Sequence, residues 1–177
     1  MLRVRSFPPL ESARARVLIL GSMPGAASLA AGQYYAHPRN LFWPIMGALF
    51  GAGPELPYAG RVRVLNAKGI AVWDVLESCV REGSLDSSID EGSIAVNDFA
   101  NFYRSHPRIE RVFFNGAKSE AVYRRYVLPR LPDARAPPPA LRLPSTSPAH
   151  ASLGFEAKRA AWAEIAQCTM TRRAACR

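Results

Sequence analysis

The chain has 177 residues, 49% of them hydrophobic and 21% charged, with a formal net charge of +9. That length suits one domain and leaves no room for two sizeable cores, and the apolar share excludes a disordered chain. No apolar stretch approaches the roughly 20 residues that span a bilayer, and Arg3 and Arg5 interrupt the N-terminus too early for a signal peptide.

The first element is a nearly continuous apolar run over 16–20 that stops at Gly21. Such a run predicts a strand buried on both faces, as in a parallel sheet covered by helices. Runs of the same kind occupy 69–73 and 111–114, the latter ending in Asn115-Gly116, and a weaker one lies at 140–144. Helical patterns fall between and after them, over 41–50, 57–67, 97–105, 118–127 and 155–167. The alternation predicts a three-layer α/β/α sandwich with a central, mostly parallel four-stranded sheet. The segment 132–144 carries five of the fifteen prolines and is expected to be an extended surface connection. Residues 1–167 are expected to form the single domain, followed by a basic, frayed tail over 168–177.

The surplus of Lys and Arg suits a nucleic acid or an anionic membrane, although a solvated basic surface accounts for it equally well. Cys79, Cys168 and Cys176 are odd in number and widely spaced, and the three histidines lie far apart. Neither a disulfide framework nor a tetrahedral metal site follows, so a cytoplasmic protein without metal or cofactor is expected.

Ligands of open parallel sheets bind where strand ends meet loops. Three such loops stand out: Gly21-Ser22-Met23-Pro24-Gly25, Asn115-Gly116-Ala117-Lys118, and Ser145-Thr146-Ser147-Pro148-Ala149-His150. They are expected to converge on one cleft. The first permits tight turning and close approach of a ligand to the backbone, but it meets neither nucleotide-binding motif and an ordinary turn also explains it. The block Tyr34-Tyr35-Ala36-His37-Pro38-Arg39-Asn40-Leu41-Phe42-Trp43 is denser in chemistry than a structural loop needs. Tyrosine faces can stack on an extruded base and Arg39 can meet a phosphate. Asn40 has two readings, a catalytic carboxamide or an N-cap for the helix that follows. Phe42 and Trp43 fit a core.

Gly-Ser-Met-Pro-Gly, Tyr-Tyr-Ala-His-Pro-Arg-Asn-Leu-Phe-Trp and Ser-Thr-Ser-Pro-Ala-His, in that order and spacing, resemble the uracil-DNA glycosylase superfamily. The nearest branch is that of the hypoxanthine-DNA glycosylases, and the resemblance runs from about Phe7 to Ile165. It implies a monofunctional DNA glycosylase that flips a deaminated base, hypoxanthine first, hydrolyses its glycosidic bond and so initiates base excision repair. DNA containing such a base, single- or double-stranded, is the implied partner, with the enzyme a monomer. The third position of the first loop, usually Asp or Asn in the superfamily, is Met23, which cannot position a water and puts strong uracil activity in doubt. In the hypoxanthine branch the catalytic carboxamide matches Asn40. Tyr35 matches an aromatic that stacks on the flipped base. Gly21, Ser22, Met23, Pro24 and Gly25 would bound the base, with Asn115 reading its edge or merely turning the chain. Ser145, Thr146, Ser147 and Pro148 match the loop that grips phosphates. Ser145 stands where many members have a histidine; His150, at the loop's end, is left to serve the base, a phosphate or the fold. Leu153 is either the apolar wedge that fills the vacated stack or an ordinary residue at a helix start.

No lysine is expected at these motifs (Lys68, Lys118 and Lys158 are read as lying elsewhere), which argues against a Schiff-base lyase step. No carboxylate lies in the motif loops, so activity is expected to persist at acid pH. Two rivals remain: a uracil or thymine mismatch glycosylase, and a basic protein that binds damaged DNA without catalysis.

Overall fold

The computed structural model describes residues 2–132 and 136–170. Its elements in chain order are β1 (Leu2–Arg5), β2 (Val17–Gly21), α1 (Ala26–Ala31), α2 (Phe42–Phe50), α3 (Tyr58–Ala67), β3 (Ile70–Asp74), β4 (Leu76–Arg81) and β5 (Ile89–Val96). They continue with α4 (Phe99–Ser105), β6 (Arg111–Asn115), α5 (Ala117–Val122), β7 (Ala140–Leu143) and α6 (Phe155–Met170). A sheet of order β3-β2-β6-β7, parallel throughout, forms the middle layer of the expected sandwich.

All five residues of β2 are buried, which is why that segment tolerates no polar residue. Leu20 pairs in register with Trp73 on one side and Phe114 on the other. Trp73 meets Phe99 and Phe102 of α4, and Phe114 meets Tyr123, so aromatic side chains of β3 and β6 flank Leu20 of β2. Helix α6 packs on β2, β7 and α2, with Trp162 edge-on to Phe42 at 5.9 Å. Each such large apolar side chain, fully buried, contributes about 1.5–3 kcal/mol.

A second sheet, antiparallel and of order β1-β4-β5, was not foreseen from the sequence. Register shifts between Leu76, Ser78 and Val80 break the period of two that would have marked β4. β7 gave a weak signal because it is an edge strand in which only Leu143 is buried.

Helix α4 begins at Phe99 rather than 97 because Asn97 is used elsewhere. Its amide donates to the carbonyls of Asp74 and Leu76 at 2.8 and 3.2 Å, and Asp98 caps the helix by accepting from the Asn101 N–H. The helix expected over 118–127 widens after Val122 into a π turn, Tyr123–Val127. α6 carries the chain to Met170, so the tail expected from 168 begins as helix, and residues 171–177 lie outside the described residues. Residues 133–135 of the expected proline-rich connection lie outside them too.

Candidate active site

The parallel strands end at Gly21, Asp74, Asn115 and Leu143, and the chain around those ends walls a cleft of about 380 Å³. Gly21, Ser22, Met23, Pro24, Gly25, Tyr35, Asn40, Asn115, Ser145, Thr146, Ser147, Pro148 and His150 all line it. Arg39 and Leu153 do not; both are exposed.

Tyr35 adopts φ +56°, in the left-handed region that a bulky residue enters at a cost of about 1–2 kcal/mol. The turn lays its ring flat on Phe42, centroids 4.0 Å apart, so one ring face is already covered. Its hydroxyl is buried and has no hydrogen-bond partner among the described residues. Burial, then the charge of Asp74, holds the phenol well above its ordinary pKa. Neighbouring Tyr34 anchors the turn: its carbonyl accepts from the Trp43 indole at 2.8 Å, and its N–H bonds the Tyr58 hydroxyl at 3.1 Å.

Asn40 is not the N-cap of α2, which is Leu41, but stands just before it. Oδ1 accepts from the Phe42 N–H at 3.0 Å, which holds the first turn of α2, and the residue still lines the cleft. A carboxamide oxygen has a second lone pair, so this bond orients the group without exhausting it.

Asn115 is more committed. Its Nδ2 donates to the Thr146 hydroxyl and its Oδ1 accepts from the Thr146 N–H, both at 2.9 Å. Thr146 belongs to the loop expected to grip phosphates, yet it has no exposed surface, and its carbonyl accepts from the Leu41 N–H. It is a tie between loops rather than a phosphate donor. Gly116, at φ +97°, allows the close approach: a Cβ there would stand 2.9 Å from that of Ser145. Ser145 and Ser147 accept from backbone N–H groups two residues on, which leaves each hydroxyl proton able to donate.

The His150 ring is exposed and lies 3.4 Å from the Ser152 hydroxyl. Its carbonyl is held by the buried Lys158 ammonium at 2.6 Å, and burial pushes the pKa of Lys158 down. Two lysines therefore border the site where none was expected. Lys118 lines the cleft, ion-paired with Glu91 at 3.4 Å, and Lys158 supports its edge.

The cleft also holds carboxylates that the motif loops did not reveal. Asp74, ending β3, and Asp86, in the turn between β4 and β5, both line it. Ser22 donates to Asp86 at 2.8 Å, and the Ala26 N–H donates to Ser84 at the same distance, tying that turn to the Gly21 loop. Buried Arg81 adds to this tie, donating to the Pro24 carbonyl at 2.6 Å and that of Gly83 at 3.1 Å. Burial pushes Asp86 above the usual carboxylate range. Leu85, at the rim of the cleft, is 54% exposed, more than Leu153 at 40%. An acid closing an apolar strand, Trp73-Asp74, was a legible signal; Leu85 and Asp86 were hidden with the unread antiparallel pair.

The Uracil DNA glycosylase superfamily matches residues 8–166 of the chain. A Methanosarcina barkeri protein named hypoxanthine DNA glycosylase is 36% identical over 119 residues, covering 67% of this chain and 74% of that protein. A Methanosarcina acetivorans protein of the same name is 35% identical over 116 residues, 65% of this chain and 72% of its own. The fold is similar to a solution NMR structure of a Methanosarcina acetivorans protein named as a candidate uracil DNA glycosylase. The TM-score is 0.75 at 28% identity, with 95% of this chain and 99% of that one covered. A match over nearly the whole chain, with motif loops gathered at the ends of a parallel sheet, settles kinship: the chain belongs to the uracil DNA glycosylase superfamily.

Proposed function

We propose that the protein is a monofunctional DNA glycosylase of the cytoplasm, acting as a monomer, that excises hypoxanthine from single- or double-stranded DNA. The observation that carries this reading is Asn40: a carboxamide fixed in direction by the Phe42 N–H yet still lining the cleft. The names of the two Methanosarcina relatives support hypoxanthine as the base.

A base inside a duplex is out of reach, and extruding it costs a few kcal/mol, less when it is mispaired. Hypoxanthine opposite thymine is such a weakened pair. As the glycosidic bond breaks, positive charge grows on the sugar and negative charge on the base. A carboxamide is too weak a base to deprotonate water early, so Asn40 orients the water that captures a sugar cation already formed. Holding that water in place before reaction removes the entropy of finding it. Tyr35, backed by Phe42, forms an aromatic wall against which the base rests. Ser145 and Ser147 donate to phosphate oxygens, and Arg39, outside the cleft, meets the backbone further along. The Asn115 bonds to Thr146 favour a supporting role over edge reading. Lys118 is paired with Glu91, which favours hydrolysis over attack by an amine.

End-labelled duplexes carrying one inosine, uracil, xanthine or thymine mismatch, treated with alkali to reveal abasic sites, test the reading. Inosine-dependent cleavage with no borohydride-trapped adduct is expected. Release of uracil alone would make the protein a uracil glycosylase. Tight lesion binding with no release from any substrate would leave a damage-binding protein.

A further inference from the structure

Asp74 has no part in the water-positioning or stacking steps, yet its carboxyl lines the cleft although only 3% of the residue is exposed. Glycine at position 21 is what admits it. A Cβ there would stand 2.3 Å from Asp74 Oδ1 and 3.0 Å from the Tyr35 hydroxyl. The carboxyl oxygen and the phenol therefore converge over the last residue of β2. Ser6 donates to the other oxygen, Oδ2, at 2.8 Å, and the Tyr35 hydroxyl, buried near the Asn115 side chain, has no hydrogen-bond partner among the described residues.

Asp86 faces this carboxyl from the turn between β4 and β5, Arg81 from β4, the phenols of Tyr34 and Tyr35 from the loop before α2, and Ser6 from the segment after β1. Burial is the largest influence and pushes the pKa of Asp74 up to about 7; the Ser6 bond opposes it, Asp86 adds to it, and Arg81 opposes it.

We infer that Asp74, carrying its proton, donates a hydrogen bond from Oδ1 to the extruded base, an inference that rests on the glycosylase reading. The electron pair of the breaking bond moves onto the base, and a neutral acid facing it stabilises that charge where a carboxylate would repel it. The hydrogen bond leaves the overall balance unchanged: water supplies the hydroxyl to the sugar and a proton to the base.

The test is single-turnover release of hypoxanthine across the pH range, with wild type, Asp74→Asn, Asp74→Ala and Ser6→Ala compared. Wild-type release falls as pH rises through about 7. Asp74→Asn keeps a donor that does not titrate, so its rate loses that alkaline fall. Asp74→Ala is slowed roughly 100-fold, as when one donor to a developing charge is removed, while its affinity for an uncleavable lesion duplex holds. Ser6→Ala removes the bond that favours the carboxylate, so its alkaline fall moves to higher pH, a result readable even where the Asp74 variants fail to fold. An alkaline fall unchanged in Asp74→Asn, or unmoved in Ser6→Ala, overturns the inference while leaving the glycosylase reading intact. No release by wild type from any lesion overturns both.

Discussion

At the scale of single residues, the site depends on groups that are half used. Asn40 spends one lone pair on α2, Ser145 and Ser147 accept from their own loop, and Asp74 bonds Ser6 through one oxygen. Each is thereby aimed, and each keeps capacity for a ligand. Asn40 and the serines were legible in the sequence because they sit in motif loops; Thr146 was legible only as a member of its loop, and its burial was not. The expectation of activity persisting at acid pH rested on motif loops without carboxylates; Asp74 and Asp86 lie outside those loops yet line the cleft. Asp74 also carries a consequence for stability. Its folded pKa, about 7, lies above the ordinary value of 3.8, so its contribution is fully present below about pH 4 and is lost as pH rises through 7. Asp74→Asn should therefore gain melting temperature relative to wild type at about pH 8 and gain little near pH 4. A gap that narrows with rising pH would contradict this.

At the scale of elements, Thr146 is the tie among the strand end at Asn115, the start of α2 at Leu41 and its own loop. Thr146→Val removes the acceptor of the Asn115 amide inside a buried contact and should destabilise the fold by about 1–3 kcal/mol, measured by denaturant unfolding. Because the same contact sets the Ser145 loop against Asn115, the affinity for lesion DNA should fall with it; a variant as stable as wild type would show the tie to be idle. The parallel strands were legible because burial on both faces demands unbroken apolar runs. The antiparallel sheet was not, since β4 is bulged, β1 is only four residues long and β5 mixes polar with apolar residues. That unread pair delivers Ser84, Leu85 and Asp86 to the cleft, so the part of the fold that was missed is also the part of the site that was missed.

For the whole molecule, the formal charge of +9 is a statement about association rather than about fold. DNA affinity should fall steeply with salt, and Arg39→Ala should weaken binding to lesion and undamaged duplexes alike while reducing the salt slope by about 1. A loss confined to lesion DNA would instead give Arg39 a role at the base. Length, alternating strands and helices, and three motif loops were enough to foresee the sandwich and the cleft at its strand ends. What they omitted was everything set by tertiary approach: the acid over Gly21, the lysine behind His150 and the tie at Thr146.

The most direct measurement is chromatographic detection of free hypoxanthine released from an inosine-containing duplex by wild type and Asn40→Ala under single-turnover conditions. Wild type should release the base, and the variant, still folded, should be slower by roughly 100-fold or more. Equal rates in the two would remove Asn40 from the reaction and with it the mechanism built on its carboxamide.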